Sequence, residues 1–192
     1  MAELFLEIND NQKRVPSSLR WDLVRLVQPD GDEAEVTASE LVYELATRTT
    51  SPFFYSIDLT GEKKDVSIKQ GSLAPEIRAL VARANKKHPK PTFEEYTTLL
   101  IRFFSAVRSL NPQGWGDPSS TYYRARVLRA LVRVLVDIII PAENLVDLSA
   151  AKLLEILSGI DPETLSEGRI RLAQGSAGVT DLYKAIRAQV IS

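Results

Sequence analysis

The segment TYYRARVLRALVRVLVDIII, residues 121–140, constrains this chain more than any other stretch. Its apolar residues recur at helical spacing and, in the second half, run nearly all the way round, the pattern of a helix covered on most sides. Such a helix has to sit at the centre of a larger assembly of elements. It is not a membrane span, because the best apolar run, Val134 to Pro141, is broken by Asp137 and falls short of the roughly 18 apolar residues a span needs.

Most of the remaining sequence carries helical signals. Residues 2–9 read as a helix and Ser17 to Val27 as another, joined by a polar turn, with Pro16 at the opening of the second. QPDGDEAE reads as a solvated acidic loop, after which Thr37 or Ser39 opens a helix through Thr47. SPFFYSIDL and DVSIKQ are short runs rich in aromatic and β-branched residues around a Gly-containing TGEKK, which predicts a β-hairpin near residues 53–70. Beyond it, Pro75 to Asn85 reads as an amphipathic helix. Thr92 caps FEEYTTLLIRFFSAVRSL, with Glu94 and Glu95 in the first turn where the helix dipole favours them. Short helices near Ser149 to Ser158 and Pro162 to Glu167 precede a Gly-rich loop and a terminal helix from Thr180 to Val190. The expected fold is mainly α (α+β): a multi-helix arrangement with one small hairpin. Residues 1–192 would form a single domain, with a helix–loop–helix junction at 1–30, the hairpin at 53–70 and a helical core at 74–192.

Composition removes several kinds of chemistry. There is no cysteine, hence no disulfide framework, no thiolate nucleophile and no Cys-ligated metal. One histidine, His88, excludes a multi-histidine metal site, and in KKHPKP it reads as an exposed loop residue rather than a general base. No GxxxxGK[ST] or GxGxxG phosphate loop is present. The expectation is a cytoplasmic chain with no metal, no cofactor and no catalytic residues that can be assembled into a site.

The nearly balanced total of 24 basic and 25 acidic residues hides an uneven distribution. Between Arg102 and Arg133 lie six arginines, no lysine and one acid, Asp117, a local charge of +5. Arg126, Arg129 and Arg133 are three and four residues apart and so share a helix face, with Tyr122 four residues ahead of Arg126. Guanidinium groups bind phosphate bidentately, so this stripe, supported by Arg102 and Arg108, is a candidate track for a nucleic-acid backbone. A solvated or acid-paired face on an otherwise buried helix would have the same sequence. A second cluster, Asn9, Asn11, Gln12 and Lys13 with Arg14, places amides and cations at a helix exit, where they either read a polar ligand or satisfy loop carbonyls.

FLEINDNQKRVPSSLRWDL resembles a stretch of the DGQHR-domain family, relatives of the DndB proteins and more distantly of the ParB-like fold. Ile8, Asn9, Gln12 and Lys13 supply a helix ending in Ile-Asn-x-x-Gln-Lys; Val15 begins a Val-Pro turn; Leu19, Asp22 and Leu23 supply the following helix. SPFFYSIDL, the FF-containing helix and Trp115 after a Pro-containing break are similar to the family's later part. The resemblance implies a role in bacterial DNA modification or phage defence, with DNA association or regulation. The Asp-Gly-Gln-His-Arg motif belongs ahead of the Ile-Asn helix and does not occur here, so the expectation is the carboxy-terminal portion of a longer protein, lacking that family's signature residues. An amphipathic helix that starts with no capping residue before Leu4 and Phe5 agrees with this, although a short helix that simply frays would look the same. DNA, the absent DGQHR segment or a partner subunit are the partners this reading implies. A protein–protein interaction domain with no nucleic-acid role is the alternative.

Overall fold

The computed structural model describes residues 15–29, 32–63, 65–88, 90–142, 144–172 and 175–191. The helix expected over 2–9 and the cluster Asn9, Asn11, Gln12, Lys13 lie outside them. Among the described residues the chain forms eight α-helices: α1 (Ser17–Val27), α2 (Glu33–Thr47), α3 (Gln70–Lys87), α4 (Phe93–Leu110), α5 (Ala125–Ile139), α6 (Ala150–Leu157), α7 (Glu167–Leu172) and α8 (Gly175–Val190). Two short strands, β1 (Ile57–Asp58) and β2 (Ile68–Lys69), separate α2 from α3. The fold is therefore mainly α. No helix of the described residues is long and apolar enough to cross a membrane.

Helix α5 is the buried centre its sequence requires. None of its fifteen residues is exposed, and Val127, Leu128, Ala130, Leu131, Val132, Val134 and Leu135 are fully covered. On one side it packs along α3 and on another against α8, while α3 packs on α1 and α2, and α4 on α2 and α6. One contiguous apolar cluster runs from Trp21 in α1 to Ile186 in α8. At about 25 cal/mol per Å² of apolar surface, burial of this kind is the main force holding helices that would be marginal alone.

Several boundaries differ from those read in the sequence, each for a local reason. Helix α2 begins at Glu33 rather than Thr37 or Ser39, because the Asp32 carboxylate accepts the Glu35 N–H at 2.9 Å and places Glu33 and Glu35 in the first turn. The last three residues of the expected acidic loop are thus helix. Helix α3 starts at Gln70, five residues before Pro75, which lies exposed inside it. Gly71 permits this. A Cβ there would lie 2.5 Å from Ser17 Oγ and 2.9 Å from the Ser18 backbone nitrogen, and the Gly71 N–H donates to Ser18 Oγ at 3.1 Å. The start of α3 is thereby pressed against the start of α1. Gly71→Ala gains up to about 1 kcal/mol in helix propensity but overpacks a backbone contact at a typical cost of about 1–3 kcal/mol. A net loss of about 1 kcal/mol is expected in urea unfolding, and a gain in stability would contradict this packing. At the other end, α7 was not expected, and α8 begins at Gly175 rather than Thr180, taking in part of the Gly-rich stretch.

The hairpin is also corrected. Strands do form within 53–70, but they pair in parallel, with Ile57 opposite Ile68 and Asp58 opposite Lys69. TGEKK does not make a tight hairpin tip because the buried Asp58 side chain organises it. Oδ1 accepts the N–H groups of Thr60 (3.2 Å) and Gly61 (2.8 Å), and Oδ2 accepts that of Lys63 (3.1 Å). The chain winds around this carboxylate, and the second strand arrives in the same direction as the first. Upstream, residues 52–56 form turns, not strand, with Tyr55 at a left-handed φ of 55° and its N–H donated to Ala46 O at 2.8 Å. A polar chain closes this end of the fold: Gln70 Nε2 donates to Ser39 Oγ (3.2 Å), which donates to the Trp21 carbonyl (2.5 Å), tying α3, α2 and α1 together.

Candidate interaction surface

The arginine stripe of α5 faces inward. Arg129 Nε (3.0 Å) and Arg133 Nη2 (2.9 Å) both donate to Glu76 Oε1, and Arg133 Nε donates to Glu76 Oε2 (2.8 Å). The Glu76 side chain is 8% exposed and each arginine 28%, so the carboxylate is buried under two guanidinium groups. Arg133 also donates to Thr180 Oγ1 at 2.9 Å, and its pKa is raised, chiefly by the hydrogen bonds to Glu76. Arg126 donates to the Ile170 carbonyl at 2.8 Å. These three residues join α5 to α3, α8 and α7. Tyr122 is not on their helix; it lies in a short 3₁₀ turn, Thr121–Tyr123, ahead of it.

Of the supporting arginines, Arg102 is half-buried in α4 beside Glu94, Glu95 and Leu145, and Arg108 is exposed in the last turn of α4. The acid-paired alternative for the stripe holds, but the acids of the QPDGDEAE segment are not the ones used. Asp32 pairs with Arg78, Glu33 with Lys90 and Glu35 with Arg20, and the stripe's acid is Glu76. His88 is not an exposed loop residue: it is half-buried, and its Nε2 lies 2.8 Å from the Ile139 carbonyl at the end of α5. Among the described residues no group of three or more acidic or histidine side chains could hold a metal ion.

A different surface is open. Glu33, Thr37, Glu40 and Glu44 are four, three and four residues apart and share one face of α2. Between them and the end of α3 and start of α4 lies a cleft of about 370 Å³, lined also by Val81, Asn85, Lys90, Phe93 and Tyr96. A second cleft, of about 320 Å³, lies between α2 and the end of α1 and is lined by Arg25, Gln28, Glu40, Tyr43, Glu44 and Phe93. The two meet at Glu40 and Phe93 and form one trough along α2. Its walls are ordered: the buried Tyr96 hydroxyl donates to Asn85 Oδ1 at 2.8 Å, and burial raises the Tyr96 pKa, keeping it a neutral donor. Arg25 donates to Asp22 Oδ1 (2.9 Å) and lies 4.1 Å from the centre of the Tyr43 ring.

The charges of the trough are matched unevenly. Arg25 is taken by Asp22, Lys90 by Glu33, and Arg48 is shared between Glu44 (2.9 Å) and Glu94 (2.8 Å). Among the described residues Glu40 accepts only the Gln28 amide, at 3.1 Å. Lining the trough itself are three carboxylates, Glu33, Glu40 and Glu44, and two cations, Arg25 and Lys90. Sequence reading missed this surface because α2 was started too late, which hid the polar stripe beginning at Glu33; the stripe itself was legible.

Acid sensitivity follows from the same groups. Hydrogen bonds from Arg48 hold the Glu94 carboxyl below the usual glutamate range, those from Thr92 do the same for Glu95, and those from Arg78 lower Asp32. Each folded value lies below the unfolded one, so the stabilisation is present above about pH 4–5 and is lost as pH falls through the folded values. The urea midpoint should hold steady from neutrality to about pH 5 and then decline, the decline being shallower in Arg48→Gln. A midpoint that rises on acidification would contradict the assignment. No family model, no curated protein and no solved structure matches this chain.

Proposed function

We propose that this chain is a helical interaction module that docks a partner protein, and that its arginine stripe serves the fold rather than a nucleic-acid backbone. The observation that carries the reading is the commitment of Arg126, Arg129 and Arg133 to Ile170, Glu76 and Thr180. A phosphate would have to compete with a buried carboxylate already bound bidentately, which leaves that carboxylate uncompensated at a cost of several kcal/mol. By its resemblance to the DGQHR/DndB-like family, the module would act in a bacterial DNA-modification or phage-defence system, holding a partner there rather than the DNA itself.

DNA association is the competing reading and makes the opposite prediction. Labelled duplex DNA at low salt should show no mobility change with this chain. If it does bind, a log–log salt slope that falls by about one per arginine removed, in single Arg126→Ala, Arg129→Ala and Arg133→Ala variants that stay folded, would restore the phosphate stripe. The exposed Arg108 makes a control that leaves the internal pairs intact.

A further inference from the structure

We infer that the trough along α2 binds a cationic, amphipathic segment of a partner protein, with a lysine or arginine of that segment on Glu40 and an apolar side chain on Phe93; this rests on the interaction-module reading. Three features of the trough determine that occupant. The first is charge: Glu33, Glu40 and Glu44 line the trough against Arg25 and Lys90, Glu33 and Glu44 are paired, and Glu40, where the two clefts join, has no cationic partner among the described residues. A carboxylate in a concave site of lowered dielectric favours a cation there over a neutral or acidic group.

The second is apolar contact. Phe93 is the first residue of α4, is 37% exposed although large and apolar, and lines both clefts beside Glu40. An aromatic ring next to a carboxylate suits a side chain with an apolar stem and a charged end, which is lysine or arginine, and the Tyr43 ring already holds Arg25 in this way. The third is pre-organisation. The N-terminus of α4 is fixed by its own capping box, Thr92 with Glu95, which holds Phe93 in place beside Glu40. An acidic peptide would meet the Glu40 carboxylate at the junction of the clefts, whereas a basic segment meets there an acceptor with no cation of its own among the described residues.

The test uses the whole chain and two synthetic helical peptides of the same repeat, one of lysine and leucine and one of glutamate and leucine. The lysine/leucine peptide should bind, with amide NMR shifts concentrated at Thr37, Glu40, Asn85 and Phe93, and weaken with added salt. Glu40→Gln and Phe93→Ala, both surface changes whose folding is checked by circular dichroism, should each weaken it at least about tenfold. The trough assignment is overturned if the glutamate/leucine peptide binds as well, if neither substitution changes the affinity, or if the shifts fall on another face. In the last case a partner surface still exists, so the broader module reading stands while this one fails; a DNA mobility shift whose salt slope falls with the α5 arginines would instead remove the module reading on which this one rests.

Discussion

Phe53→Ala is expected to lower the stability of this protein by about 4 kcal/mol, from the typical 3–5 kcal/mol for deleting a buried phenyl ring. Phe53 is fully buried and stands at the centre of an aromatic cluster, with ring centres 4.7 Å from Phe104, 5.1 Å from Trp115 and 6.1 Å from Tyr123. The edge-on contact with Phe104 is the geometry the ring quadrupoles favour, worth about 0.5–1.5 kcal/mol beyond area alone. Removing the ring also loosens a joint between distant parts of the chain. Trp115 packs on Phe53 and donates its indole N–H to the Pro52 carbonyl at 2.8 Å, pinning the connection between α4 and α5 to the turn after α2. Equilibrium urea unfolding should show the loss, and near-ultraviolet circular dichroism should lose intensity as Trp115 and Tyr123 gain freedom. Phe53→Leu, which keeps most of the volume, should lose much less. A loss under about 1 kcal/mol for the alanine variant would mean that the cluster collapses to fill the space and is not a keystone.

The second large effect is expected at Glu76, with the sign set by what is left behind. Glu76→Ala removes the shared acceptor of Arg129 and Arg133 and leaves two cations facing each other between α3 and α5. Breaking a buried ion pair from one side costs about 3–5 kcal/mol. Both arginines keep partial access to water, at 28% exposure, so the lower end, about 3 kcal/mol, is expected here. Replacing the three together by apolar residues of similar volume should recover most of that loss, because the desolvation of the charges disappears with them. Urea unfolding of the single and triple variants measures both. If the triple variant is as unstable as Glu76→Ala, the cluster contributes more than electrostatics, through a packing role its contacts do not show.

The helical part of the fold was legible because its causes are local. Pro16 opens α1 and Thr92 caps α4 as their sequence signals require, and the apolar pattern of α5 foretold its burial. What failed was decided at a distance. Pro75 reads as the start of α3 until Ser17 and Ser18 are found against Gly71, and the Gly71–Ser18 contact is fifty-three residues apart in sequence. The segment after Asp58 reads as a hairpin tip until the Asp58 carboxylate is found collecting N–H groups from Thr60, Gly61 and Lys63. His88 reads as exposed until the end of α5 arrives beside it.

The same division holds for the surface. Sequence by itself determined that Arg126, Arg129 and Arg133 share one face, since helical periodicity needs no neighbours. Whether that face meets solvent, phosphate or an acid depends on which residue of another helix lies opposite, and the packing of α3 on α5 placed Glu76 there. The trough shows the reverse: the stripe from Glu33 to Glu44 is written in α2, but a stripe becomes a concave site only when Phe93 and the ends of α1 and α3 are folded around it. Periodicity is a short-range property of the chain, whereas the sign and shape of a surface are sums over elements that meet only in the folded molecule.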